Sequence, residues 1–284
     1  MATIDLQQAA IRPVDESALR SALSVQARPR RPHALSASLT LAWRALLKLR
    51  HSPMQLFDVT MFPVMMTLMF TFLFGGAIAG SVADYVQFLI PGISVMTVAM
   101  ISMYTAMGLS TDIAKGIFDR FRSLSFWRPA VLVGALLGDA VRYTLAALVV
   151  FVLGFILGFR PEGGVIGMIA ALAIMLIFAF SLSWIWTMIG LLIRAPESVM
   201  MVTSMASFPL TFASNIFVDP QTMPQWLQVV VGLNPVTHAT TAVRGLMHGT
   251  ANPNDIVASF IACAALIVIF APLTMYFYNT KNSR

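Results

Sequence analysis

Charged side chains are scarce in this chain. They make up 11% of its 284 residues, whereas an ordinary soluble domain carries about 25%. Hydrophobic residues reach 58%, so a water-soluble fold of this composition could not cover its own surface. Cysteine is nearly absent: Cys263 has no partner in the chain, which excludes an intrachain disulfide and a metal site built on several thiolates. Lysine is almost as rare, and Lys48, Lys115 and Lys281 follow Leu47, Ala114 and Thr280. None completes G-x-x-x-x-G-K-[ST], so the chain holds no phosphate-binding P-loop. H-E-x-x-H, G-x-S-x-G and spaced Cys and His clusters are also missing. Neither cofactor-binding nor metal-binding residues are expected.

What the chain does have is long stretches without charge. A helix needs about 20 mostly apolar residues to cross roughly 30 Å of hydrocarbon. Runs of that kind extend from Val59 to Ala83, Tyr85 to Thr111, Gly163 to Ile193, Ser198 to Val218 and Ile256 to Thr280. A sixth, Ala130 to Phe159, is interrupted by Asp139 and Arg142. The expectation is an all-α integral membrane protein with six spans at about 57–80, 86–109, 130–159, 165–193, 198–218 and 256–279. Residues 1–33, polar and without a signal-peptide core, are expected to form a flexible cytoplasmic tail before a single membrane domain over 34–284.

The formal charge of +6 could point to nucleic acid, but in a membrane protein basic residues gather in cytoplasmic loops. With the amino terminus inside, the inner side receives the eight Arg and Lys before the first span, Lys115, Arg120, Arg122, Arg128, Arg194, Lys281 and Arg284. Only Arg160 and Arg244 fall outside. This asymmetry predicts both termini in the cytoplasm and no nucleic-acid partner. Fifteen arginines against three lysines, with abundant alanine, suggest a GC-rich bacterial genome and therefore a bacterial cell membrane.

Three segments outside the spans carry helical patterns. Over 34–51, Leu35, Leu39, Trp43, Leu46 and Leu47 lie on one face and Arg44, Lys48 and His51 on another, the pattern of a helix in the lipid interface. Over 111–127, Ile113, Ile117, Phe121 and Leu124 form an apolar stripe, which predicts a cytoplasmic amphipathic helix. Over 219–254, Trp226 to Leu233 is too short to cross, and Pro220, Pro224, Pro235 and Pro253 divide the segment into short pieces. Short helices that dip into the outer leaflet and return fit it, since irregular backbone at membrane depth must be shielded by protein or water.

Asp139 and Arg142, at i and i+3, share a face of the third span. Either Asp139 attracts a cationic substrate, or the two are an ion pair that lets one helix carry two charges. Thr105, Thr211, Ser214 and Asn215 are polar candidates for a substrate path; hydroxyls bonded within their own helices are the plainer reading. Pro91 and Pro209 mark the second and fifth spans for kinks. The glycine pairs Gly134/Gly138, Gly154/Gly158 and Gly163/Gly167 allow close helix approach, between two copies or within one bundle. Nineteen methionines and twenty phenylalanines suit a soft lining for planar apolar molecules, as they suit the filling of any membrane bundle.

The order of parts, interface helix, two spans, cytoplasmic helix, four spans and a re-entrant outer segment before the last, resembles the membrane subunit of type-2 ABC exporters. Thr111-Asp112-Ile113-Ala114-Lys115-Gly116-Ile117-Phe118-Asp119-Arg120-Phe121-Arg122-Ser123-Leu124 is similar to the coupling-helix segment of daunorubicin and doxorubicin resistance permeases, as is Gly138-Asp139-Ala140-Val141-Arg142. Met223-Pro224-Gln225-Trp226-Leu227, Asn234-Pro235-Val236-Thr237, Ala242-Val243-Arg244-Gly245-Leu246 and Gly249 are similar to that family's outer segment. The resemblance covers 34 to the carboxyl end. One departure is that proline usually follows the Arg-Ser-Leu word soon, whereas here it waits until Pro129.

The resemblance implies a permease without its own motor, two copies working with a separate nucleotide-binding ATPase that holds the ATP and magnesium. It makes Asp112, Lys115, Asp119, Arg120, Phe121 and Arg122 candidates for contact with that ATPase, a solvated basic helix near headgroups being the alternative. The path would be lined mainly by the second and fifth spans. The implied substrate is an amphipathic, anthracycline-like drug; a lipid or lipid-linked glycan would suit the same architecture. An ion-coupled secondary transporter would instead show repeated halves and midplane ionisable residues, and a membrane scaffold would show no path.

Overall fold

The computed structural model describes residues 53–115, 130–193 and 195–281. All regular elements among the described residues are helical. Helix α1 (Pro53–Met69) passes through a π turn at Phe70–Phe74 into the short α2 (Gly75–Ala79). Gly80, at φ 73°, ends this first rod in the left-handed conformation that glycine adopts without cost. Ser81 then caps α3 (Val82–Ser102), its Oγ accepting from the Asp84 amide at 3.1 Å.

A single-residue break at Met103 separates α3 from α4 (Tyr104–Ala114). Together they form a 33-residue apolar stretch, about 50 Å long at 1.5 Å per residue. Even a tilt of about 40°, the top of the usual range, leaves about 38 Å along the membrane normal, more than the hydrocarbon thickness. One end therefore stands clear of the lipid. The expected boundary between a span ending at 109 and a separate helix starting at 111 does not appear, because nothing breaks the helix there. Instead Thr111 Oγ1 bonds back to the Met107 carbonyl at 2.8 Å and the helix runs on to Ala114.

The chain resumes with α5 (Ala130–Ile156), α6 (Gly164–Leu192) and α7 (Pro196–Phe212). A 3-10 turn at Pro220–Thr222 leads to α8 (Gln225–Leu233) and α9 (Pro235–His248), and α10 (Pro253–Lys281) closes the fold. Five described stretches are long and apolar enough to cross a membrane: Thr60–Ile78, Val82–Ala114, Gly138–Ile156, Gly164–Leu192 and Pro253–Tyr278. The protein is thus a multi-pass membrane protein. Helix α7, with 17 residues, falls short, and the run expected to stay helical to 218 leaves the helix after Phe212. The interface helix expected at 34–51 and most of the cytoplasmic helix expected at 111–127 lie outside the described residues.

Helix α3 is the axis of the bundle. Every residue from Leu89 to Met103 is buried, enclosed by α1, α2, α5, α6, α7 and α9. A second span lining an open path would need a free face, and in this conformer that stretch has none. Lipid tails are as apolar as these side chains, so close packing and interhelical hydrogen bonds, rather than exclusion from water, hold such a bundle together. Gly154 meets Ile90, Gly190 meets the Ala106 backbone, and Gly163 and Gly167 meet the Leu246 carbonyl. The recurring small residues at Gly154, Gly163 and Gly167 therefore serve packing inside one chain. Helix α10, by contrast, exposes Val257, Phe260, Ile261, Val268, Ile269 and Leu273, the outward surface that lipid requires.

Candidate functional site

Two polar centres sit inside this apolar bundle, one toward the basal end, where α4 ends and α5 begins, and one at the apical end, beneath α8 and α9. The basal centre is built on α5. Asp139, 4% exposed, is held from two sides: Arg142 Nη2 donates to Oδ1, and Thr105 Oγ1 on α4 donates to Oδ2 at 2.5 Å. Tyr143, one turn along, places its hydroxyl 2.9 Å from Thr105 Oγ1 and 2.9 Å from Ser183 Oγ on α6. Three helices are joined by this chain of side chains.

A carboxylate only accepts, so the Thr105 proton goes to Asp139 and Thr105 can only receive from Tyr143. Close by, Trp186 Nε1 on α6 donates to Ser102 Oγ at 2.7 Å, at the last residue of α3 before the Met103 break. With both Asp139 oxygens engaged, the carboxylate is not open to a substrate cation in this conformer. Arg142 Nε finds no hydrogen-bond partner among the described residues. Of the candidates for ATPase contact, Asp112 and Lys115 sit at the basal end of α4, Asp112 half-buried and Lys115 exposed. Asp119, Arg120, Phe121 and Arg122 lie outside the described residues.

The apical centre explains why α7 can stop early. Asn234, the cap of α9, accepts from the Val236 amide and with Nδ2 donates to the carbonyls of Leu210 and Ala213, each at 2.6 Å. These are carbonyls a longer α7 would have bonded itself. The segment 213–218 is irregular yet largely buried at Ser214, Asn215, Ile216 and Phe217, so its backbone needs partners. Tyr85 Oη reaches the Phe217 carbonyl at 3.3 Å, and Arg244 Nη2 reaches the Asn215 carbonyl at 3.0 Å.

Arg244, on α9, also donates to the Phe88 carbonyl from Nε and Nη2 at 3.4 and 3.3 Å, with its guanidinium carbon 3.9 Å above the Phe88 ring. One turn on, His248 Nε2 lies 3.0 Å from the Gln87 carbonyl. A carbonyl cannot donate, so Nε2 carries the hydrogen. Proline chemistry accounts for this contact. Pro91 has no N–H for the carbonyl four residues earlier, which is that of Gln87. Burial lowers the Arg244 pKa to about 10, with the Asp219 carboxylate working in the opposite direction; the guanidinium stays charged at neutral pH.

Among the candidate path residues, Thr211 and Ser214 bond back to the Ser207 and Thr211 carbonyls, while Asn215 Nδ2 crosses to Thr241 Oγ1 at 2.8 Å. Charge counting placed Arg244 on the outer side; in the structure it is half-buried, with its guanidinium turned into the bundle against Phe88 and Asn215. The sequence does carry a signal for its neighbour: Pro91 leaves the Gln87 carbonyl without a helical donor, and His248 supplies one from another element.

Residues 37–248 match the family model described as ABC-2 type transporter. The chain is 48% identical over 265 residues to the daunorubicin resistance ABC transporter permease protein DrrB1 of Streptomyces coeruleorubidus, covering 93% of this chain and 94% of that one. It is 24% identical over 170 residues, 60% of this chain and 61% of the other, to the probable doxorubicin resistance ABC transporter permease protein DrrC of Mycobacterium tuberculosis. With the putative transport permease ycf38 of Cyanophora paradoxa, identity is 25% over 212 residues, 72% of each chain. With the family model matched over most of its length and a relative 48% identical across 93% of it, the chain belongs to the ABC-2 type transporter family.

Proposed function

We propose that this chain is the membrane subunit of an ATP-driven exporter that moves an amphipathic, anthracycline-like drug out of a bacterial cell. The observation that carries the reading is the 48% identity to a daunorubicin resistance permease across nearly the full length of both chains. A separate ATPase subunit binds ATP and magnesium and docks beneath the permease, against the segment 111–127. Asp112, Lys115, Asp119, Arg120, Phe121 and Arg122 make that contact. Two permease copies and two ATPase subunits form the working unit, with both termini of the permease in the cytoplasm, as the distribution of basic residues favours.

In this reading α7 with the buried segment 213–218 completes a sixth crossing. The α3–α4 helix supports the mechanism, because one continuous apolar stretch runs from the apical contacts of Tyr85 to the basal residue Asp112. Closure of the ATPase dimer pushes on 111–127 and tilts that helix, a rigid-body switch biased by nucleotide. Opening a path along Thr105, Asp139, Arg142, Thr211, Ser214 and Asn215 then requires the basal bonds of Asp139 to exchange partners. Coexpression with the cognate ATPase and measurement of ATP hydrolysis tests the reading. Stimulation by daunorubicin supports it. A tight complex that anthracyclines do not stimulate would keep the permease and remove the drug, leaving a lipid or lipid-linked glycan as substrate.

A further inference from the structure

At the apical end, α3 packs against the segment 213–218. Their seam has three parts. Gly92 presses against Ile216 so closely that a β-carbon there would lie 2.8 Å from the Ile216 carbonyl oxygen. Tyr85 Oη donates to the Phe217 carbonyl at 3.3 Å. Arg244 donates to the Phe88 carbonyl on α3 and, at 3.0 Å, to the Asn215 carbonyl on the other side of the seam. The first is steric fit and the second a neutral hydrogen bond. Only the third uses a charged donor, about twice as strong as a neutral one, and it uses the same nitrogen, Nη2, on both sides.

We infer that Arg244 is the positioning residue that holds this apical seam closed, its guanidinium bridging the Phe88 and Asn215 carbonyls. The two sides cannot part while both bonds stand. His248 supports the same side of the seam by holding the Gln87 carbonyl that Pro91 leaves without a donor, and the stacking of Arg244 on Phe88 fixes the plane of the fork. Helix α9 is thereby a clamp whose position relative to α3 decides whether the apical end is shut. The inference rests on the exporter reading only for its use: in an exporter this seam is where the cargo leaves.

Ser214, buried at 2%, is a reporter for the seam, and Cys263, buried at 3% between helices, is a reporter for the rest of the bundle. In the purified complex, Ser214→Cys in a Cys263→Ala background is labelled with a soluble maleimide. A second sample carries Cys263 alone. Arg244→Met is expected to raise labelling at Ser214→Cys by roughly tenfold, the factor that a shift of about 1.4 kcal/mol in the closed-to-open equilibrium produces, with Cys263 unchanged. Arg244→Lys, which keeps the charge and loses the fork, should fall between.

Unchanged labelling at Ser214→Cys in Arg244→Met would overturn the inference. An equal rise at Cys263 would also overturn it, because the substitution would then have loosened the whole bundle. ATP with vanadate separates this result from the exporter reading. If it raises labelling with Arg244 intact and adds little in Arg244→Met, both stand. If nucleotide changes nothing while Arg244→Met is fast, the clamp stands and the exporter cycle fails.

Discussion

Thr105 on α4 donates to Asp139 on α5 across 2.5 Å, tying the basal half of the central helix to the span that carries the Asp139–Arg142 ion pair. Thr105→Val keeps the shape and removes the donor, leaving a buried carboxylate oxygen short of a partner. In water-soluble proteins that costs about 1–3 kcal/mol, but interhelical hydrogen bonds in membranes average about 0.6 kcal/mol. The expected loss is therefore about 1 kcal/mol, read as a lower unfolding midpoint in detergent, with Thr105→Ser close to the parent. Asp139→Asn should cost more, since it strands Arg142. The double variant Asp139→Asn/Arg142→Gln should recover part of that loss; no recovery would mean the two side chains act separately.

The glycines of the bundle differ in what an added β-carbon would meet: backbone, a neighbouring side chain, or nothing within 4 Å. A β-carbon on Gly167 would lie 2.3 Å from the Leu246 carbonyl oxygen, whereas one on Gly108, inside α4, would meet nothing within 4 Å. A backbone carbonyl cannot rotate aside, so Gly167→Ala has to push α9 off α6, at about 3 kcal/mol. Gly108→Ala should be neutral or stabilise the helix by up to about 1 kcal/mol. Equal midpoints for the two variants would contradict the close approach of α6 and α9.

These contrasts also mark how far residue pattern reaches. Charge-free runs locate the long helices to within a few residues because hydropathy reports what lipid can accept. The same measure carries the fifth span to 218, since Ser214 and Asn215 are uncharged and the run stays apolar around them. It does not register that Asn234, more than twenty residues later, takes the Leu210 and Ala213 carbonyls and lets α7 end at Phe212. Counting basic residues assigns Arg244 to a side of the membrane, and depth is invisible to such a count. The glycine spacings show that something approaches closely without saying whether it belongs to the same chain; contacts with Ile90 and Leu246 answer that for Gly154, Gly163 and Gly167.

Two neighbouring tryptophans provide a matched pair. Trp186 Nε1 donates to Ser102 Oγ at 2.7 Å beside the Met103 break, while the buried Trp184 Nε1 has no hydrogen-bond partner among the described residues. Trp186→Phe removes the tie from α6 to the Ser102 hydroxyl, which keeps its own bond to the Ala99 carbonyl at 2.6 Å, so a loss of about 1–2 kcal/mol is expected from the bond together with the smaller ring. Trp184→Phe removes a donor already unsatisfied, and the relief offsets part of the packing loss. The midpoint should fall further for Trp186→Phe, and the reverse order would exclude a role for the Ser102 bond.

At the basal end, the proposed ATPase contact is tested by charge. Arg120→Glu or Arg122→Glu should reduce copurification of the ATPase from detergent extracts, with the permease's own unfolding midpoint measured alongside to separate lost contact from lost stability. Unchanged binding and transport in both variants would remove these residues from the interface.

Asn234 performs two jobs with the two ends of one amide. Its oxygen caps α9 by accepting from the Val236 amide at 2.9 Å, and its nitrogen donates to the Leu210 and Ala213 carbonyls. Asparagine and aspartate are about equal as helix caps, and replacing either by alanine costs about 1 kcal/mol. If capping were all that mattered, Asn234→Asp would be harmless and Asn234→Ala would be the damaging change. The geometry reverses that order. An aspartate turns an oxygen toward two carbonyl oxygens where a donor stood, at a side chain only 7% exposed, so repulsion adds to the loss of two hydrogen bonds. Asn234→Asp should therefore unfold below Asn234→Ala, and it should loosen the end of α7, measured as faster amide exchange over 210–218. A ranking with aspartate close to the parent would mean that the α7 carbonyls do not depend on Asn234.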